Sequence, residues 1–279
     1  MSAKNRFYKT KRPNSLAVRR RRAQVIIGVL ILVIFAIALF FLSWFLSRPF
    51  VVINEITVSG NSLIASKDIL ATVKNIISDS YLGLFTKSNI FLYPEKNIEK
   101  TLAASFPAIK SIHSNLENWY TLNLSVEERV PSALWCQSVA STDCFYLDSD
   151  GLIFSPAPVF SDNIFLKFTG GQITASSSPI VGKNFLPPDE FRRIAFFLES
   201  LLPLGLVATS LQIDGDDYQI QLKAGGRLII KTTGDLSVIL ENLRTILRSN
   251  NLTQALARGG VIDYIDLRYG NKVFYKFEN

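Results

Sequence analysis

Residues 25–46 form a run of 22 uncharged, apolar positions, and nine Lys and Arg precede it with no acidic residue among them. At about 1.5 Å of rise per residue such a run makes a helix of about 33 Å, enough to cross a hydrocarbon core of about 30 Å. A secretory signal has an apolar region of only ~7–15 residues and ends at a small-residue cleavage site. Here the run ends in Trp44-Phe45-Leu46-Ser47-Arg48-Pro49, with no A-x-A-like pair. A retained anchor is the expectation, and a cleaved signal is the alternative.

Charge sets the orientation. Lys4, Arg6, Lys9, Lys11, Arg12 and Arg19–Arg22 all precede the run, which the positive-inside rule places in the cytoplasm. Trp44 suits the opposite interface. The whole chain has 30 basic and 23 acidic residues, a net charge of +7, yet residues 1–47 hold nine of the basic groups and none of the acidic ones. The remainder is therefore slightly acidic, 21 against 23. A basic surplus confined to the tail points to anionic lipid, at about 1 kcal/mol of attraction per cation, and away from nucleic acid.

Beyond the anchor, Phe50–Val58 has strand character and Ser59-Gly60-Asn61 marks a turn. Ser66 is a candidate helix cap before Ile69, Leu70, Val73, Ile76 and Ile77 at helical spacing. The stretch 78–89 is rich in turn residues. Pro94 suits the start of a second helix with Ile98, Leu102 and Ala103 on its apolar face. Strands follow at Ile109–Ser114 and Thr121–Glu127, the latter with Leu122, Leu124 and Val126 on one face. The order β-α-α-β-β describes a small α+β unit.

After Arg129-Val130-Pro131 short strands recur, at Ala133–Trp135, Phe145–Leu147, Gly151–Phe154 and Ile164–Phe168. A helix begins at Pro187-Pro188-Asp189-Glu190, with Phe191, Ile194, Ala195, Leu198, Leu201 and Leu202 inward. A meander then alternates through Leu211/Ile213, Tyr218/Ile220/Leu222 and Leu228/Ile230. Asp235 caps a last helix, whose Leu236, Ile239, Leu240, Leu243, Ile246 and Leu247 face inward. The final strands are Val261–Leu267 and Lys272–Phe277, around a turn at Gly270-Asn271. Cys136 and Cys144 flank a polar stretch on the disulfide-permissive side of the membrane. They form either a bridge at a hairpin base or two reduced structural thiols.

The order of these parts, and four segments in particular, resemble the FtsQ/DivIB-type bacterial cell-division proteins. The segments are Ile56–Asn61 (ITVSGN), Val126–Trp135 (VEERVPSALW), Tyr146–Phe154 (YLDSDGLIF) and Tyr264–Asn271 (YIDLRYGN). Where the family carries Trp-Pro before the last strand of the first domain, this chain has Trp119-Tyr120. The resemblance implies an α+β protein in four parts. These are a basic cytoplasmic tail (1–23), a transmembrane helix (24–47), a POTRA-like domain (50–128) tied to septal recruitment, and a β-rich domain with helices on one side (129–279).

It also implies a non-enzymatic scaffold in the cell (inner) membrane at the division septum. Its partners would be FtsB/FtsL-type coiled-coil membrane proteins and other divisome components, and the complex would control septal peptidoglycan synthesis. By motif position, Arg268 and Tyr269 would contact partner side chains. Asn271, Lys272, Val273, Phe274 and Tyr275 would offer backbone groups for an added strand. The residues carry the same reading, since a final strand at a sheet edge has unpaired N–H and C=O groups. Tyr269, Phe274 and Tyr275 supply aromatic anchors or fill the domain's own core, and period two turns some of them inward.

Catalysis finds few parts. His113 is the only histidine, and Glu127 and Glu128 adjoin in a strand and so point to opposite faces. Asp214-Gly215-Asp216-Asp217 lacks calcium-loop spacing and reads as a turn between strands, and Ser176-Ser177-Ser178 lacks a nucleophile-elbow context. No catalytic residue, metal ligand set, cofactor or small-molecule substrate is expected. The alternative function is a POTRA-bearing transport or chaperone module of the envelope.

Overall fold

The computed structural model describes residues 15–160, 164–171, 173, 179–249 and 261–278. Lys4, Arg6, Lys9, Lys11, Arg12 and Ser176–Ser178 lie outside the described residues. The chain divides into two compact units that interleave along the sequence. The first takes in the described residues up to Ser59, with Lys67–Ile98 and Ser114–Leu124. The second takes in Gly60–Ser66, Glu99–His113 and the described residues from Ser125 onward.

Helix α1 spans Ser15–Leu46 and starts before the anticipated residue 24, because Arg19–Ala23 are good helix formers with no breaker among them. Within it, Arg19–Leu46 is long and apolar enough to cross a membrane, with a mean hydropathy of 3.4. Its end is set by Pro49, which pushes Arg48 to extended angles (φ −74°, ψ 144°). The Arg48 guanidinium lies 3.5 Å from the Trp44 ring centroid. Pro49–Val51 then form one 3₁₀ turn. The anticipated strand from Phe50 is therefore shorter: β1 covers Glu55–Ser59.

Helix α2 runs Ser66–Ile77 and buries Ile69, Val73 and Ile77. Ser66 is its first residue, with its hydroxyl accepting from Asn61 Nδ2 (2.9 Å). The turn-rich stretch contains a miniature hairpin, β2 (Ser80–Tyr81) and β3 (Phe85–Thr86). Helix α3 covers Glu95–Ser105 and buries Ile98 and Leu102, whereas Ala103 is exposed instead of inward. Strands β4 (Ile109–Asn118) and β5 (Thr121–Glu128) run longer than anticipated and form, with β1, a sheet of order β1-β5-β4. Leu122, Leu124 and Val126 are buried, as period two requires.

The second unit is built on a mixed nine-stranded sheet. Its strands are β6 (Ala133–Cys136), β7 (Cys144–Leu147), β8 (Ile153–Pro156), β9 (Lys167–Gly170), β10 (Ala208–Asp214), β11 (Asp217–Leu222), β12 (Arg227–Lys231), β13 (Ile262–Tyr269) and β14 (Lys272–Phe277). The spatial order is β14-β13-β12-β11-β10-β9-β6-β7-β8. Pairing is parallel at β12/β13, β10/β9 and β6/β9, and antiparallel elsewhere. β8 starts at Ile153 and not at Gly151, because Gly151 turns the chain at φ +77° with Phe191 packed against it. β9 starts at Lys167, three residues later than the pattern of Ile164–Phe168 predicts.

One face of this sheet is the core. Trp135, Leu147, Ile153, Phe168, Leu211, Tyr218, Ile220, Leu228, Ile230, Ile265 and Leu267 alternate onto it. Helix α4 (Pro188–Glu199) adds Phe191, Ile194, Phe197 and Leu198, and helix α5 (Leu236–Leu247) adds Ile239 and Leu243. Each such large side chain contributes about 1.5–3 kcal/mol by leaving water. Asp235 caps α5, accepting from the N–H of Ser237 (2.9 Å) and Val238 (3.4 Å). Leu202, anticipated as inward, is exposed, because α4 ends at Glu199 and a 3₁₀ turn of Leu202–Leu204 redirects the chain. The opposite face carries a small cluster of Leu134, Cys136 and Cys144 with Tyr146, Phe160 and Phe165. Cys136 and Cys144 pair directly across β6/β7 and are joined in a disulfide that closes the polar loop between them. A loop this short gains about 2–3 kcal/mol on the chain-entropy account.

Two of the resembling segments meet in an internal clasp. Arg129 Nη1 donates to Asp148 Oδ2 (2.5 Å) and Arg129 Nε to the Pro107 carbonyl (3.0 Å). The other oxygen of Asp148 accepts from the N–H of Asp150 and Leu152, both at 2.9 Å. One buried carboxylate therefore holds both its own turn and the neighbouring arginine. Glu127 and Glu128 point apart as expected. Glu127 bonds Lys110 and Ser111, while Glu128 accepts from Ser62 Oγ and from the N–H of Leu63 and Ile64. Burial acts to raise the Glu128 pKa, but these donors outweigh it and hold it below the ordinary value.

Candidate partner-binding edge

The last two strands form an antiparallel hairpin with partners Ile265↔Tyr275, Asp266↔Phe274 and Tyr269↔Lys272. Gly270 takes the first position of its two-residue turn at φ +64°, the conformation such tight hairpins require. Asn242 Nδ2 of α5 donates to the Gly270 carbonyl (2.7 Å), which ties the turn to the helix. β13 is flanked on both sides, by β12 in parallel and β14 in antiparallel, whereas among the described residues β14 pairs with β13 alone. Alternate N–H and C=O groups along β14 therefore point away from the sheet.

Period two divides the side chains of this strand. Val273 and Tyr275 turn inward and pack against the core. Lys272, Phe274 and Lys276 turn outward, with Phe274 51% exposed. Tyr269 is 54% exposed and meets the Phe274 ring edge-on at 5.4 Å between centroids. Tyr269 and Phe274 thus present one aromatic ledge beside the open edge. Tyr275 belongs to the domain's own packing, and at that position the backbone is what remains to offer. Asn271 is exposed in the turn.

Arg268 is held within the domain. Its Nε and Nη2 donate to the two oxygens of Asp266 (2.9 and 2.6 Å), and Nη1 donates to Asp217 Oδ2 (2.7 Å). Burial works against the Asp266 carboxylate, but the side-chain and backbone bonds from Arg268 hold its pKa below the usual range. The same bonds, with Asp266 first and Asp217 next, raise the Arg268 pKa, so the cation is permanent. The guanidinium carbon lies 5.6 Å from the Tyr269 ring centroid. Arg268 thereby stiffens the strand end that carries Tyr269. The sequence reading assigned Arg268 to a partner's side chains and missed Asp266, although positions two apart share a strand face and that spacing could have found it. Asp217, fifty-one residues away, had no such signal.

Other candidate chemistry is occupied. His113 is exposed in β4. The 214–217 segment is a tight turn with Gly215 at φ +58°, and its Asp214 and Asp217 carboxylates bind Gln219 and Arg268. A cleft of about 850 Å³ is lined by Lys183, Glu190, Ile213, Tyr218 and Thr232 among others. There the Tyr218 hydroxyl donates to Glu190 (2.6 Å), and burial followed by that bond raises its pKa, so it does not ionise near neutral pH. Among the described residues no cluster of three His, Cys, Asp or Glu side chains could hold a metal ion.

The chain matches no family in a comparison with models of known families, and a search of curated proteins gives no significant match. The site is accordingly defined by its own geometry: an open strand edge, an aromatic ledge and an arginine locked by two carboxylates.

Proposed function

We propose that this protein is a single-pass scaffold of the bacterial division machinery that captures FtsB/FtsL-type membrane proteins by strand addition to β14. The observation that carries the reading is the free β14 edge with Tyr269 and Phe274 exposed beside it. Main-chain hydrogen bonds would supply much of the affinity, and the aromatic ledge the choice of partner. The apolar helix Arg19–Leu46, with its cationic start and Trp44 at its far end, supports an inner-membrane address with the N-terminus in the cytoplasm. The β-α-α-β-β order around the β1-β5-β4 sheet supports a POTRA-like recruitment domain. Binding would bear on septal peptidoglycan synthesis through the partners, without catalysis by this chain.

The test is co-purification of the detergent-solubilised full chain with an FtsB-like partner. Phe274→Pro distorts the backbone of β14, which stands at one end of the sheet order, so β12 to β6 keep their pairing. It is expected to reduce capture at least tenfold while the melting profile stays cooperative. Undiminished capture by a folded Phe274→Pro protein overturns strand addition. In cells, depletion is expected to give filaments with unfinished septa, and normal division after depletion overturns the divisome reading.

A further inference from the structure

The small hairpin between α2 and α3 displays apolar side chains that the described residues of the first unit leave exposed. β2 and β3 are two residues each, joined through Leu82, Gly83 and Leu84. Leu82 is 92% exposed and also holds φ at +52°, a region that bulky residues avoid. Leu84, Phe50 and Phe91 are exposed as well. In water each of these features is unfavourable, and together they describe a patch that has its partner elsewhere.

The position of this patch identifies the partner. Ser43 Oγ donates to the Leu84 carbonyl, and Asn89 Nδ2 donates to the carbonyl of Leu46 (2.6 Å). The other side-chain atom of Asn89 accepts from the N–H of Phe91 (2.9 Å), and the rings of Phe45 and Phe50 meet edge-on at 5.7 Å. Ser43 lies inside the apolar run, before its end at Leu46. At about 1.5 Å per residue, that is roughly 4–5 Å below the point where the run ends. A bilayer that covers the run to Leu46 therefore reaches the level of Leu84.

The backbone is compatible with a shallow seat. Leu84 N–H donates to Tyr81 (3.0 Å), Lys87 N–H donates to Asp79 (3.0 Å), and the Leu84 carbonyl is taken by Ser43. The backbone groups that these bonds do not reach, at Leu82 and Gly83, require the seat to be shallow, within reach of headgroup and water partners. Lys87 Nζ stands 5.3 Å from the Tyr81 ring centroid, a cation and an aromatic ring together at headgroup level, as interfacial belts place them.

We propose that the Tyr81–Phe85 hairpin is a second membrane contact, seating Leu82 and Leu84 in the extracytoplasmic leaflet beside α1. The proposal rests on the reading of α1 as a membrane span. With two points of contact the first unit is held at a set rotation about the helix axis, where a single helix would leave it to swivel.

Depth-dependent quenching tests this on the full chain in phosphatidylcholine/phosphatidylglycerol nanodiscs. Leu82→Cys and Phe40→Cys are labelled separately with an NBD maleimide; Cys136 and Cys144 are joined in a disulfide and do not react. Position 82 is exposed, so the substitution removes no packing. The expected result is quenching of both labels by doxyl lipids, with the label at 82 quenched more by shallow than by deep doxyl positions. Iodide should quench the label at 82 several-fold less than NBD-cysteine in buffer. A label at 82 that is open to iodide and blind to doxyl lipid, while that at 40 is quenched, overturns the proposal and leaves the anchor standing. Absence of lipid quenching at both positions overturns the membrane reading of α1 and the proposal with it.

Discussion

Two arginines, Arg129 and Arg268, sit in look-alike carboxylate clasps in the second unit, yet they serve different ends. Arg129 binds Asp148, whose second oxygen also fixes the Asp150–Leu152 turn, and every group involved is spent inside the domain. Arg268 binds Asp266 and Asp217 just as fully, but the next residue is exposed Tyr269 at the end of the open edge. The first clasp closes a turn, and the second steadies a surface. An arginine in a resembling motif is therefore no guide by itself to which residues touch a partner. Exposure of the neighbours alone does not separate the two, since Val130 after Arg129 is 78% exposed; what does is the outermost strand β14 beside Tyr269.

The largest effect expected from breaking this comparison is at Asp148. Asp148→Ala strands the Arg129 cation and two backbone N–H groups, and should cost about 3–4 kcal/mol in denaturant unfolding. Partner capture by the fraction still folded should be unchanged. Arg268→Ala leaves the buried Asp266 carboxylate its bond from the residue 268 N–H, and the truncation opens it to water, so it should cost less, about 1–2 kcal/mol. It should also weaken capture, because the strand end carrying Tyr269 loosens. Equal losses of capture in the two variants would erase the distinction.

Acid should weaken the Arg268 clasp. The folded pKa of Asp266 is depressed by Arg268, so its contribution to stability is present above the unfolded value of about 3.9 and is lost as pH falls through the folded one. Glu128 behaves in the same sense. Unfolding free energy should fall below about pH 4, and Asp266→Asn should flatten part of that slope, as read by denaturant titrations at several pH values. The smallest stability effect belongs to Tyr269→Ala, below about 0.5 kcal/mol, since the ring is half in water. Its effect on capture should nevertheless exceed that of Asp148→Ala, and the reverse order would shift the interface away from the ledge.

Much of this architecture was legible as periodicity. The alternation of Tyr218, Ile220 and Leu222 and the spacing of Ile239 and Leu243 lead directly to the core they form. The Asp235 cap was equally plain. What escaped was set by neighbours remote in sequence or by single residues that override a trend. Pro49 cut the strand expected from Phe50, and Gly151 displaced the start of β8. The β2–β3 hairpin has strands too short to show any period. At the site, the pattern showed that some aromatics must turn inward, but only the register of β13 against β14 decided that Tyr275 does and Phe274 does not.

The parallel pairing of β12 with β13 has a consequence for the order of assembly. Parallel neighbours cannot be joined by a tight turn, so the whole crossover from Lys231 to Ile262, α5 included, must fold back before β13 can dock. Among the described strands β14 has only β13 to lean on. A chain halted before that closure has β12 outermost on that side and lacks the β14 edge, so the proposed binding surface arises only once the crossover has closed. Capture at β14 therefore waits on a completed second unit.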